Sequence, residues 1–261
     1  MRAAPMIQRI AMSNYRGIVP GTFTMGNVVC GFISILSSFE GNFTTAAWFI
    51  ILAGFLDALD GKVARLSGTN SQFGVELDSL ADFLSFAVAP AVLVHTIKLN
   101  ALGKWGWIIS IVYIMAAAYR LARYNLMADS DEKKSFVGLP VPAGAFALVA
   151  YIILCFNLWG GLKYDEVLVS MIIVIAFLMV SQVEYDPMPD RFHTREDRIK
   201  LIAIILAVIA LVVRPRLLLF PIVLLYILSG MLRELYRFLN LGVGKMTGRP
   251  YGRRKTDRES S

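Results

Sequence analysis

Charge is scarce in this chain. Asp, Glu, Lys and Arg make up 17% of its 261 residues, where a soluble domain carries about 25%. Cysteine and histidine are scarcer still, with two of each. The thiols, Cys30 and Cys155, both lie inside apolar runs. They exclude a disulfide framework, give no basis for a zinc site, and read as buried filler. His95 and His193 lie far from the main cluster of aspartates, so histidine-based nucleophilic or zinc chemistry is not expected. There is no P-loop and no dinucleotide fingerprint. The apolar runs are continuous rather than alternating, which excludes a transmembrane β-barrel.

Apolar length is what the chain has in abundance. Hydrophobic residues are 57% of the sequence and the mean hydropathy is +0.62. A bilayer core of about 30 Å takes about 20 apolar residues per helix. Spans are expected near residues 20–39, 44–65, 78–98, 105–124, 142–158, 166–183, 199–213 and 216–234. The expected fold is an all-α polytopic membrane protein of about eight transmembrane helices. With eight spans, 21 of the 26 lysines and arginines fall on one side, so both termini are expected in the cytoplasm. The organisation reads as an N-terminal arm (1–16), a membrane core (17–183), a linker (184–198), an additional hairpin (199–234) and a basic tail (235–261). The tail suits anionic lipid headgroups. The net charge of +7 is explained by the membrane without nucleic acid.

Against this background the stretch "DALDGKVARLSGTNSQFGVELDSLAD", Asp57 to Asp82, is out of place. At about 100° per residue, Asp57, Asp60, Gly61, Ala64 and Arg65 fall within an arc of roughly 140°. Gly74, Asp78 and Asp82, at i, i+4 and i+8, share one face of the next helix. A short connector makes the two helices antiparallel neighbours, so their polar faces meet below the headgroup plane. Four carboxylates there repel one another and cost several kcal/mol each to desolvate. Arg65 alone does not compensate them. Divalent cations do, and hard oxygen ligands select magnesium, manganese or calcium. Gly61 and Gly74 remove side chains where a ligand would touch backbone. Two metals facing a phosphate-sized gap suggest phosphoryl-type chemistry on a lipid. An ion-coupled transporter is the remote alternative, although it would place polar groups at mid-membrane and in both leaflets.

The pattern Asp57-x-x-Asp60-Gly61-x-x-Ala64-Arg65, eight residues, then Gly74-x-x-x-Asp78-x-x-x-Asp82 resembles the signature of the CDP-alcohol phosphatidyltransferases. The resemblance covers about residues 15 to 183. It implies a six-helix catalytic core, to which the hairpin is an addition, and a homodimer. It further implies two divalent ions, magnesium or manganese, on Asp57, Asp60 and Asp78 with Asp82 near the metal. Asp82 would be the general base. Gly61, Ala64, Arg65, Ser71 and Gly74 would line the CDP moiety.

Four further stretches bear on the acceptor: "PGTFTMGNVVCGF", "FGVELDSLADFLSFAVAPA", "YRLARYN" and "FVGLPVPAGA". In this order they resemble the phosphatidylserine synthases of that family. This implies CDP-diacylglycerol and L-serine as substrates in a prokaryotic plasma membrane, with phosphatidylserine and CMP as products. Glycerol 3-phosphate, inositol phosphate and choline remain alternative acceptors. A guanidinium suits the carboxylate of serine, and Arg120 and Arg123 close the fourth span, with Asn125 in reach as an amide donor. The same arginines could instead snorkel to lipid phosphates. Pro140 and Pro142 read as the first turn of the fifth span.

Overall fold

The computed structural model describes residues 6–67, 72–128, 136–181, 183–185 and 213–246, and side chains for 21–63, 73–126, 138–181, 183 and 213–232. Helix α1 (Met6–Phe39) turns through Gly41 into α2 (Phe43–Ser67). A third rod comes next, built from α3 (Gln72–Asp82), a π-helical turn (Phe83–Val88) and α4 (Ala89–Ile97). A 3-10 turn leads to α5 (Lys104–Ala128). After strand β1 (Phe136–Val137) come α6 (Val141–Trp159), α7 (Asp165–Val180), strand β2 (Glu184–Tyr185) and α8 (Pro215–Met246).

Six helical segments among the described residues are long and apolar enough to cross a bilayer: 21–39, 43–63, 73–97, 104–126, 141–159 and 215–232. Five match the first five expected spans within a few residues. The expected span 166–183 is shorter than a full crossing. Its helix α7 has 16 residues, a rise of about 24 Å against about 30 Å of hydrocarbon. It stops because Ser181 turns extended (φ −62, ψ 166) and its hydroxyl donates to the Leu178 carbonyl at 2.8 Å. Of the expected hairpin, the second arm is α8; residues 199–212 lie outside the described residues, as does the basic tail beyond Met246.

Helix α6 is the mast of the bundle. It is apolar all round, as a helix buried on every side must be, and α2, α4, α7, α8 and the π-helical turn all pack on it. Small residues let the neighbours approach, the usual solution where lipid removes the hydrophobic drive between helices. The Phe146 ring, for example, fills a notch at Gly54, where a Cβ would collide with the ring. It then meets Phe86 edge-to-face at 5.9 Å. Pro140 and Pro142 do open α6, as expected. Cys30 and Cys155 are both buried and free.

The β pair has no counterpart among the expected elements. β1 and β2 pair antiparallel, Phe136 opposite Tyr185 and Val137 opposite Glu184. The ladder continues from Gly138 N–H to the Val183 carbonyl (2.8 Å) and from Leu139 N–H to the Leu178 carbonyl (3.1 Å). It ties the entry of α6 to the exit of α7. Gly138 has φ +88, and a Cβ there would lie 2.5 Å from the Met179 carbonyl oxygen. Gly138→Ala combines a left-handed backbone penalty of about 1–2 kcal/mol with a clash against backbone. Thermal unfolding of the purified protein should show a loss of at least about 2 kcal/mol; an unchanged melting temperature would mean that the staple yields freely.

Candidate active site

Asp57 and Asp60 sit one turn apart on α2, and Asp78 and Asp82 one turn apart on α3. Helical spacing turns each pair to one face, and the antiparallel connection brings the faces together. Carboxylate oxygens of Asp57, Asp78 and Asp82 all lie within 4.8 Å of one another. Asp60 is more deeply buried, at 6% exposure, and its charge acts on both Asp57 and Asp78. Asp57, Asp78 and Asp82 thus form one acidic cluster, within electrostatic reach of Asp60.

Helix α1 supplies donors to this centre that the sequence pattern did not assign. The Thr24 hydroxyl donates to Asp60 Oδ2, and the Asn27 amide donates to Asp82 Oδ1 at 3.2 Å. Both residues are buried, Thr24 at 3% and Asn27 at 0% exposure. The signal was present: Thr24, Asn27, Ser34 and Ser38 recur at helical spacing in an otherwise apolar span. Hydrogen bonds to charged groups contribute about 1.5–3 kcal/mol each, whereas each buried carboxylate costs several. The donors from α1 therefore orient the cluster without neutralising it.

Oxygen atoms left over mark where a ligand fits. Asp60 Oδ1, Asp78 Oδ1 and Asn27 Oδ1 are buried and have no hydrogen-bond partner among the described residues. A convergent all-oxygen donor set with spare buried lone pairs suits a hard divalent cation. Gly61 faces open space, with nothing within 4 Å of an added Cβ, so packing does not demand a glycine there. Gly74 is half-buried on α3. Ala64 and Arg65 belong to α2, but their side chains, like Ser71 as a whole, lie outside the described residues.

The candidate acceptor residues on α5 divide. Arg120 is buried, at 7% exposure. It stacks on the Tyr124 ring at 5.2 Å and interacts electrostatically with Asp82 and with Tyr226 of α8. Arg123 is only partly buried. Asn125 donates to Ser79 Oγ at 2.9 Å, which fastens the end of α5 beside Asp78. His95 belongs to a separate region, where it meets Ser110 at 3.1 Å and the Trp107 ring edge-to-face; His193 lies outside the described residues.

Residues 17–181, more than half of the chain, match the family model of CDP-alcohol phosphatidyltransferase. The chain belongs to that family. It is 33% identical over 227 residues to a CDP-diacylglycerol–serine O-phosphatidyltransferase of Helicobacter pylori, covering 86% of this chain and 94% of the relative. Relatives with the same name occur in Methanocaldococcus jannaschii, 37% identical over 64% of this chain and 73% of the relative, and in Bacillus subtilis, 32% identical over 64% and 89%. The family match ends at residue 181, so α8 and its Tyr226 come from outside it.

Thr24→Val keeps the side-chain shape and removes the hydroxyl. Partners behind metal ligands typically matter by about 10–100-fold in metal affinity. If the aspartates hold magnesium, the variant should need at least about tenfold more of it for half-maximal CMP release, with its melting temperature close to that of the parent. An unchanged magnesium requirement would reduce Thr24 to a packing contact.

Proposed function

We propose that this protein transfers the phosphatidyl group of CDP-diacylglycerol to the hydroxyl of L-serine, giving phosphatidylserine and CMP. The observation that carries the proposal is the convergence of Asp57, Asp78 and Asp82 beside the buried cation of Arg120. The names of the relatives support the same donor and acceptor.

Asp57, Asp60, Asp78 and Asp82 would hold two divalent ions, magnesium or manganese. When bound, such ions neutralise the diphosphate and raise the electrophilicity of its phosphorus. The chain's own groups do the rest. Asp82, held by the Asn27 amide, takes the proton of the serine hydroxyl. The freed oxygen attacks, in line, the phosphorus that bears diacylglycerol, and the bond from that phosphorus to the CMP oxygen breaks. CMP leaves along the surface formed by Gly61, Ala64, Arg65, Ser71 and Gly74. Arg120 binds the serine carboxylate with its planar fork, Arg123 adds positive charge, and Asn125 secures α5 against α3.

Sidedness comes from the charge pattern. The distribution of basic residues supports an acidic centre and both termini on the cytoplasmic side, and the bacterial relatives fit a prokaryotic plasma membrane, where soluble serine and CMP would exchange. In this reading residues 199–234 would form a hairpin added to the six-helix core, and family resemblance supports a homodimer.

A panel of acceptors tests the reading. With CDP-diacylglycerol, purified protein should release CMP with serine, and far less with glycerol 3-phosphate, inositol phosphate or choline. A zwitterion needs one cationic anchor, whereas a phosphomonoester needs several donors. Arg120→Lys keeps the charge but loses the fork, so it should raise the serine KM more than it lowers kcat. Asp82→Asn should bind CDP-diacylglycerol yet turn over at least about 100-fold more slowly. A preference for glycerol 3-phosphate would refute serine as acceptor, and full turnover by Asp82→Asn would refute the base. Ion flux through vesicles without CMP release would favour transport instead.

A further inference from the structure

The third rod changes helix type immediately after Asp82. From Phe83 to Val88 it is a π-helical turn, in which the Ala89 N–H reaches back five residues to the Leu84 carbonyl. A π turn admits one extra residue and so rotates the downstream helix by about 100° relative to an unbroken α-helix. Gly74, Asp78 and Asp82 keep α-helical spacing on the polar side of the break. Within it and beyond it, Phe86, Ala87, Ala89, Leu93 and Val94 are fully buried in the core. The turn thus reconciles two requirements of one rod: an acidic face before it and an apolar core face after it.

Such a turn sacrifices α-helical hydrogen bonds and needs outside support. Pro90 carries no N–H, so it cannot supply the bond that an α-helix would return to the Phe86 carbonyl. The Tyr113 hydroxyl of α5, at 0% exposure, donates to that carbonyl instead, at 3.0 Å. The Ser85 hydroxyl, also fully buried, donates to the Asn27 carbonyl of α1 at 3.0 Å. That approach depends on Gly31, where a Cβ would collide with Ser85 Oγ and fall 3.0 Å from its Cα. Asn27 closes the circuit: its backbone accepts from Ser85, while its side-chain amide donates to Asp82.

We infer that Tyr113, Ser85 and Asn27 form a positioning unit that locks the π-helical turn and thereby aims Asp82 into the acidic centre. Ser85 and Tyr113 act through the backbone, and Asn27 acts through both backbone and side chain. The inference rests on the assignment of Asp82 as the base, and it adds residues that no spacing of aspartates would reveal. Misplacement of a reacting group by about 1 Å can cost about 100-fold in rate, so the unit matters to turnover more than to substrate binding.

The test uses the full-length protein in lipid-containing micelles, with CMP release as the readout. Tyr113→Phe and Ser85→Ala should each lower kcat by roughly 10–100-fold, with KM for CDP-diacylglycerol and for serine within about twofold. A role confined to satisfying a carbonyl is separated by adding Pro90→Ala to Tyr113→Phe. That change gives the Phe86 carbonyl an N–H partner and lets the turn relax to α-helix. The double variant should regain thermal stability while kcat stays low. Recovery of kcat together with stability would overturn the inference, and so would unchanged kcat in both single variants. Should the parent prefer another acceptor, the serine reading fails, yet the ratio of variant to parent kcat with that acceptor still decides the positioning unit.

Discussion

Carboxylates crowded inside an apolar helical bundle set the terms for everything around them: oxygens of Asp57, Asp78 and Asp82 lie within 4.8 Å of one another, and the charge of buried Asp60 acts on Asp57 and Asp78. Their mutual repulsion and lost hydration amount to several kcal/mol each, in a chain that has little charge to spend. Two hydrogen bonds from α1 and one buried arginine on α5 offset part of that cost. Asp60 and Asp78 each keep a buried oxygen with no hydrogen-bond partner among the described residues. Such a centre costs the protein stability by itself, and under the proposed reading divalent cations would offset that cost.

The apolar bundle makes such a centre tolerable. Helix α6 is buried along most of its length and α2 seats against it through Gly54 and Phe146. This contact fixes the helix that carries Asp57 and Asp60. α3 is fixed from the other direction, through the π-helical turn and its contacts with α1 and α5. The chain belongs to the CDP-alcohol phosphatidyltransferases, and the geometry explains why the aspartates of that family's pattern sit on two helices rather than one. Only antiparallel neighbours bring carboxylates from both sides of a gap.

Much of this was legible in the sequence, because helical periodicity carries it. Spacings of three and four place Asp57 with Asp60 and Asp78 with Asp82, and continuous apolar runs give the first five spans. Three things were not legible, each for a physical reason. The π-helical turn lies in a run that is apolar but for Ser85, so a register shift of one residue leaves little trace in the hydropathy; Ser85 and Pro90 were its marks. The β pair is two residues long, too short for any alternation to register. The short α7 ends at a serine whose extended backbone is set by its own hydroxyl bond, which residue type alone does not reveal. Thr24 and Asn27 stood in view but were read as part of a stretch and not as donors to Asp60 and Asp82.

The proposed chemistry turns on whether the acidic centre is a cation site. Electron paramagnetic resonance of the purified full-length protein titrated with Mn2+ reads this directly, without reference to catalysis. About two bound ions per chain are expected at about pH 7, with the loss of at least one in Asp78→Asn. Intact protein that binds no manganese, or binds it equally well after Asp57, Asp60, Asp78 and Asp82 are all changed to asparagine, would contradict a cation-holding centre.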